Sequence, residues 1–588
     1  MGDPTEGETI ARPLVRSPKD RLSAVYGSDA SDGQRRRSRR QQAADGPRPL
    51  IERAARSSRT WRIVGLVFVA TMALACCLPF SHAVYWLGDE GILLRGGGEM
   101  LSGKKLYTDF FEFYPPGGLL ITQGWLFVFG QSFAAARALA IASIVAGACF
   151  AYLACAVASE SVLLPAALVA VWLVMSQGQW TMVDHHWFTT CFSMLAAWMS
   201  LASLRTDQAR LRPSFMAGLA SGAAAMVTPT RGALAILAAV GSLVDFRDRK
   251  TQMIACVAGC AVIPILCLAY IVLNGELSAG YNDIIRFPAT DYSGIQGVNF
   301  GSGLVAKTLP LGLMYPLAPL LPLLVVFKDG LGLLKDRLFR ACLLFAIAGF
   351  IGIYPRPDLV HISFTAPLAL PLLAYCGRRL TRNWNARFVY ATGAVGLALC
   401  LPAALSYVDD ARATWAAPTS QTPAGPISFI GDPDAPALFA LIGKTPSTDR
   451  FLFYPYMPLA AFIAQRPHVS RYDVFVPQYT PPSQYADACA SAEARATWVV
   501  LDHTWMDSAH FASVFPAMRN PRPPEVAAFE RAIDADFKLV ETIGHYEIRK
   551  RADPSPLRPC SAIGAAFSPA HRIGYGGWRL SGLVHAMI

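Results

Sequence analysis

Asp89 and Glu90 form the only Asp-Glu dipeptide of this chain, and His185 and His186 its only adjacent histidines. The first pair sits in Trp86-Leu-Gly-Asp89-Glu90-Gly, followed by Tyr107-Thr-Asp109-Phe-Phe-Glu112-Phe-Tyr114-Pro115-Pro116-Gly. The second sits in Asp184-His185-His186-Trp187, and a third polar string reads Pro-Arg356-Pro-Asp358-Leu-Val-His361. A carboxylate near its ordinary pKa of about 4 is ionised at neutral pH. It can take a proton from an attacking hydroxyl or coordinate a hard metal ion. A guanidinium offers paired donors to a phosphate. Carboxylates beside aromatics and a Pro-Pro stop suit a catalytic loop at a membrane surface better than a channel lining. A plainer reading is that Asp89 and Glu90 only cap a helix, although capping needs one carboxylate.

The elements that must hold these residues are mostly membrane spans. Of 588 residues 53% are hydrophobic and only 16% charged, where a soluble chain carries about a quarter charged residues. Apolar stretches of about 17 to 25 residues recur, the length that crosses a hydrocarbon core. The expected spans run near Ile63–Phe80, Phe133–Ala158, Val162–Met175, Trp187–Leu204, Ser214–Val227, Ala233–Val244, Ile254–Leu273, Leu304–Phe327, Ala341–Tyr354, Ile362–Tyr375 and Phe388–Leu405. The expected fold is a polytopic α-helical membrane bundle of about eleven spans with a C-terminal extracytoplasmic α/β domain. The +11 formal charge falls in the N-terminal tail and in short loops, as the positive-inside bias requires, so nucleic acid is not an expected partner.

With the N-terminus in the cytoplasm, the inner loops carry Arg205, Arg210 and Arg212; Arg247, Arg249 and Lys250; Lys328, Lys335, Arg337 and Arg340; and Arg378, Arg379, Arg382 and Arg387. Every polar string named above then falls outside, together with Thr228-Pro-Thr-Arg231 and Tyr281-Asn-Asp283-Ile-Ile-Arg286. Ionisable groups at a bilayer boundary are costly unless they pair, hydrate or bind something, so their gathering on one side points to a shared outer cavity.

Residues 1–60, with Arg35-Arg-Arg-Ser-Arg-Arg40, read as a disordered basic cytoplasmic tail. The catalytic membrane module is expected over 61–405, with its first outer loop at 81–132. From 406 to 552, short strand-like runs such as Trp498–Asp502 alternate with helical patterns, as in a small α/β domain. Residues 553–588 read as a loosely structured tail. Eleven of the 13 cysteines lie in or beside apolar spans; Cys489 and Cys560 are the late pair that an oxidising compartment could join. Between Glu90 and Leu106 an interfacial amphipathic helix is expected, weakened or broken by Gly96-Gly97-Gly98.

The strings Gly-Asp89-Glu90-Gly-Ile-Leu, Leu-Ser-Gly-Lys-Lys-Leu-Tyr107-Thr-Asp109-Phe and Tyr114-Pro-Pro-Gly resemble the first periplasmic loop of GT-C glycosyltransferases. The nearest branch is the bacterial one of the protein mannosyltransferases and the aminoarabinose transferase. The resemblance is specific over Trp86–Gly118 and diffuse to about Leu405. It implies sugar transfer from a polyprenyl-phosphate donor to a glycan, lipid or protein acceptor on the extracytoplasmic face, in a bacterial inner membrane. By that resemblance Asp89 is the general base and Glu90 its support. The expected mechanism inverts the anomeric configuration. Arg356, with His361 nearby, would take the leaving phosphate, with Arg231 and Arg286 as further candidates and Asp358 to orient them. Ordinary snorkelling is the competing role for Arg356. Tyr107, Asp109, Glu112, Tyr114, Asp184, His185 and His186 are the expected substrate-binding residues. An interfacial polar cap serves equally for Asp184–His186, whose two rings should diverge on a helix. No cofactor is assigned, and a divalent metal is left open because Asp-x-Asp spacing is absent around Asp89. Two other functions compete: a transporter or flippase of a lipid-linked saccharide, and a non-catalytic assembly protein. Neither needs Asp89 as a base.

Overall fold

The computed structural model describes residues 59–551, apart from 177–179, 206–208, 245–249 and 306–307. The basic tail, the 553–588 segment, Arg247, Arg249 and Cys560 lie outside the described residues. Among those described, six helices are long and apolar enough to cross a membrane: Thr60–Phe80, Phe133–Ser159, His185–Leu204, Lys250–Leu273, Leu359–Thr381 and Ala386–Trp415. Four other expected spans hold helices of 13 to 15 residues, below the length of a full crossing: Leu163–Ser176, Leu211–Ala225, Pro229–Gly241 and Arg337–Ile351. The stretch expected as one span at Leu304–Phe327 is two helices, Leu309–Leu317 and Leu320–Asp329. Pro316 and Pro319 stand at the break, where each removes a backbone donor. The helices pack through small residues, as bilayer packing requires when lipid is as apolar as the helix surface. At Gly218 an added Cβ would come within 1.9 Å of the Cys256 carbonyl oxygen, so Leu211–Ala225 and Lys250–Leu273 touch backbone to backbone.

The C-terminal region holds two small sheets. Strands β2 (Ser420–Thr422) and β3 (Gly425–Phe429) pair antiparallel, and β3 also takes β1 (Ala83–Val84) in parallel, with Ala83 opposite Ser428. The second sheet has the order β4 (Phe451–Tyr454), β5 (Trp498–Asp502), β7 (Tyr546–Arg551), β6 (Phe537–Ile543). Its β4 and β5 are buried throughout and run parallel, the pattern of strands covered on both faces.

The first outer loop is built into this region. Helix Glu90–Leu101 is sandwiched, with Gly91 through Gly97 buried, and does not lie on an interface as expected. It shares one apolar core with the C-terminal region: Leu93, Leu94 and Leu119 pack in the same cluster as Phe439, Phe451, Leu459 and Ile463. The glycines do not break the helix. A Cβ on Gly91 would meet the Leu459 amide nitrogen at 1.9 Å, and one on Gly97 would meet Thr122 at 3.0 Å. The helical cost of glycine, about 1 kcal/mol each, is offset by close packing on two sides. A helix hidden within the expected loop, Pro116–Phe129, is the second of those sides.

Candidate active site

Asp89 precedes the first turn of Glu90–Leu101 but makes no side-chain cap there. Its carboxylate instead accepts a hydrogen bond from the phenol of Tyr456. The Asp89 residue is exposed to solvent, although protein crowds around its carboxylate. That crowding, followed by the charge of Asp184 and opposed by Arg356, pushes its pKa up to about 7.

Glu90 points elsewhere. It is buried, ion-paired with Arg137 of Phe133–Ser159, and accepts the Val183 amide at 3.0 Å. Arg137 also donates to the Ala83 carbonyl at 2.5 Å. The pair fixes the start of the helix relative to β1 and the 180–184 turn. The expected support for the base is therefore positional.

Two polar strings meet Asp89 from other elements. Asp184 caps His185–Leu204 by accepting the His186 amide at 2.7 Å, and its carboxylate lies 3.2 Å from His185 Nδ1. The two histidine rings do not diverge as expected: their centroids are 3.9 Å apart, and His185 lies over Tyr114 at 4.1 Å. Arg231 donates to the Gly352 carbonyl at 2.9 Å and lies 2.9 Å from His186 Nδ1. The His361 ring is 5.0 Å from that of His186. Asp358 accepts both the His361 backbone amide at 3.0 Å and Arg356 Nε at 3.0 Å, and lies 2.7 Å from His361 Nδ1. Burial works to raise the Asp358 pKa, but the His361 hydrogen bond and the Arg356 charge hold it below the usual carboxylate range. Arg356 further donates to the Val514 carbonyl at 2.8 Å and lies over the Phe515 ring.

Other expected site residues are placed apart from this cluster or serve its walls. Tyr107 is fully buried and donates to the Tyr114 carbonyl at 2.9 Å, a wall contact. Asp109 is exposed and accepts the Lys105 amide at 2.7 Å, closing a turn. Arg286 is exposed on the 282–286 turn. Glu112 is buried and accepts the Phe113 and Tyr114 amides at 2.9 and 3.1 Å. Burial first, with Asp473 and Asp283 adding to it against those amide bonds, pushes its pKa up to about 8.

Sequence reasoning missed Tyr456, Trp505 and Tyr292. Tyr456 packs edge-on against Trp505 at 4.8 Å. Tyr292 joins Phe113 and Tyr479 in an aromatic wall, at 4.9 and 5.5 Å. No local signal links these to Asp89, because each comes from a distant segment.

Asp184, His185 and His186 could bring donor atoms within 4.8 Å of one another. Arg231 lies on His186 and opposes a second cation there, so this set does not fit a resident metal. A separate cavity of about 260 Å³ lies in the C-terminal region, lined by Tyr454, Phe529 and charged side chains. Arg522 is paired with Glu530 there, and Arg549 with Glu547 and Asp534, so its charges answer one another.

No family model matches the sequence, and no curated protein does. Among solved structures, ArnT from Cupriavidus metallidurans bound to undecaprenyl phosphate aligns with a TM-score of 0.51 and 12% identity, over 84% of this chain and 98% of that one. The same transferase in the apo state gives 0.49 and 13%, over 86% and 100%. The arabinofuranosyltransferase AftD from mycobacteria gives 0.44 and 13%, over 86% of this chain and 41% of that one. The chain is an integral membrane protein with the GT-C fold seen in ArnT.

Proposed function

We propose that the protein is an inverting membrane glycosyltransferase that uses a polyprenyl-phosphate-linked sugar. One observation carries the reading: a solvent-accessible carboxylate, Asp89, with a pKa pushed up to about 7, lies within electrostatic reach of Arg356. A base poised near the working pH balances its ionised fraction against its proton affinity. The bond bookkeeping is simple. The acceptor hydroxyl gives its proton to Asp89 as its oxygen bonds to the anomeric carbon. The bond from that carbon to the phosphate oxygen breaks on the opposite face, and its electron pair leaves with the lipid phosphate. Arg356 receives that phosphate by exchanging its contact to the Val514 carbonyl for a phosphate oxygen. Arg231 and His361 supply further donors from the membrane side.

The GT-C fold supports the reading, as does the ligand of ArnT, which was solved with undecaprenyl phosphate. The basic loops at Arg205–Arg212, Lys328–Arg340 and Arg378–Arg387 support a cytoplasmic N-terminus, with the site and the C-terminal region outside, in a bacterial inner membrane.

The test is transfer in proteoliposomes. Purified full-length protein is given a panel of radiolabelled polyprenyl-phosphate sugars and membrane extract, with Asp89→Asn alongside. Label moving to an acceptor with the native chain alone supports the transferase. Equal transfer by both proteins removes Asp89 as the base. Donor that crosses the bilayer unchanged supports transport instead.

A further inference from the structure

Residues 456–459 run along residues 87–91 and touch them at four points. The Leu459 amide donates to the Leu87 carbonyl at 3.0 Å. Gly91 lies against the Pro458–Leu459 backbone, and Gly88 lies near the Tyr456 ring. The Tyr456 hydroxyl then reaches the Asp89 carboxylate. Tyr456 is itself buried, and Trp505 packs edge-on against its ring. Trp505 belongs to the turn His503–Met506. The same segment continues to Val514 and Phe515, which hold Arg356. The C-terminal region therefore grips both the carboxylate and the cation of the candidate site.

We infer that Tyr456 is a positioning residue for Asp89: its phenol O–H aims the carboxylate and favours its ionised form, so the C-terminal region completes the base. The role rests on the transferase reading above; the hydrogen bond does not. A donor hydrogen bond to a carboxylate stabilises the charged form. The other groups facing Asp89 are Asp184, which opposes ionisation, Arg356, which favours it, and the phenols of Tyr292, Tyr114 and Tyr479. Against a crowded, acidic neighbourhood, one neutral donor fixed in direction keeps the base usable without adding a charge that would hold the acceptor's proton away.

Tyr456→Phe keeps the ring, its packing on Trp505 and the fold. Two measurements test it on full-length protein in proteoliposomes. The first is the pH dependence of transfer from whichever labelled polyprenyl-phosphate sugar the native chain uses, with Asp89→Asn alongside. The second needs no turnover. Dicyclohexylcarbodiimide reacts with protonated carboxyls, so mass spectrometry of Asp89 labelling against pH gives its titration midpoint. The expected result is a labelling midpoint and an acid limb that both rise by about one unit, with donor KM unchanged. Moving a limb from about 7 by one unit lowers the rate at pH 7 roughly fivefold, and the deficit closes above about pH 9. A purely structural role would lower the rate at every pH. Midpoint and limb both unmoved in Tyr456→Phe, beside an inactive Asp89→Asn, overturn this inference alone. Full transfer by Asp89→Asn overturns the transferase's base, whatever the labelling shows.

Discussion

Glu90 and Arg137 form a buried ion pair one residue from the exposed carboxylate of Asp89. Two adjacent acids thus have opposite fates. One holds the helix Glu90–Leu101 against Phe133–Ser159, and the other is left open to solvent.

Removing one partner of such a pair leaves an uncompensated buried charge, whereas replacing both by apolar groups is often neutral. Glu90→Gln is therefore expected to destabilise the fold by about 3 to 5 kcal/mol. The double substitution Glu90→Met with Arg137→Met should recover much of that loss. Thermal melting in detergent reads the stability. Transfer activity returning in the double variant would show that Glu90 serves position and not chemistry.

A second expectation concerns the acid limb. Asp89 must be ionised to act as a base, and its pKa lies at about 7. Activity should then fall as pH drops through about 7. Asp184 raises that pKa and Arg356 lowers it. Asp184→Asn should thus move the limb to lower pH, and Arg356→Gln should move it higher while also weakening donor binding. Limbs that shift together, or not at all, would remove Asp184 and Arg356 as the groups that tune Asp89.

What the sequence made legible follows physical range. Six of the expected spans were legible because about 20 apolar residues in a row have few other uses, while the Pro-punctuated stretch near Leu304–Phe327 is two helices and not one. Asp89 stood out from its own dipeptide. The division of labour within that dipeptide was not, since Arg137 lies 47 residues away. Tyr456 is 367 residues away, and its meeting with Asp89 depends on how the whole C-terminal region folds back. The glycine run at 96–98 was weighed by its helix propensity alone. Its worth lies in the close approach of neighbours, which propensity does not contain.

Asp358 gives a third prediction. It caps the helix that begins at Leu359 and holds both His361 and Arg356. Asp358→Ala frees Arg356 to swing and removes a cap, costing roughly 1 kcal/mol of stability. If Arg356 receives the lipid phosphate, donor KM should rise by roughly tenfold, the loss expected for one charge-assisted hydrogen bond, with a smaller change in kcat. An unchanged KM beside the lowered melting temperature would confine Asp358 to its capping role.

Glu112 offers a pH test of stability instead of activity. Burial, then Asp473 and Asp283, raise its pKa from 4.5 to about 8. A folded state that holds a carboxyl proton more tightly than the unfolded chain is favoured below the unfolded pKa, near 4.5, and loses that advantage as pH rises through about 8. The protein should therefore melt at progressively lower temperature between about pH 5 and pH 9. Glu112→Gln cannot ionise and keeps a carbonyl oxygen for the Phe113 and Tyr114 amides. In that variant the alkaline decline should flatten, with a melting temperature several degrees above the native chain at pH 9 and little difference at pH 5. Parallel melting curves for the two proteins across that range would mean that Glu112 is already ionised in the fold, paired by its neighbours and not neutralised by burial.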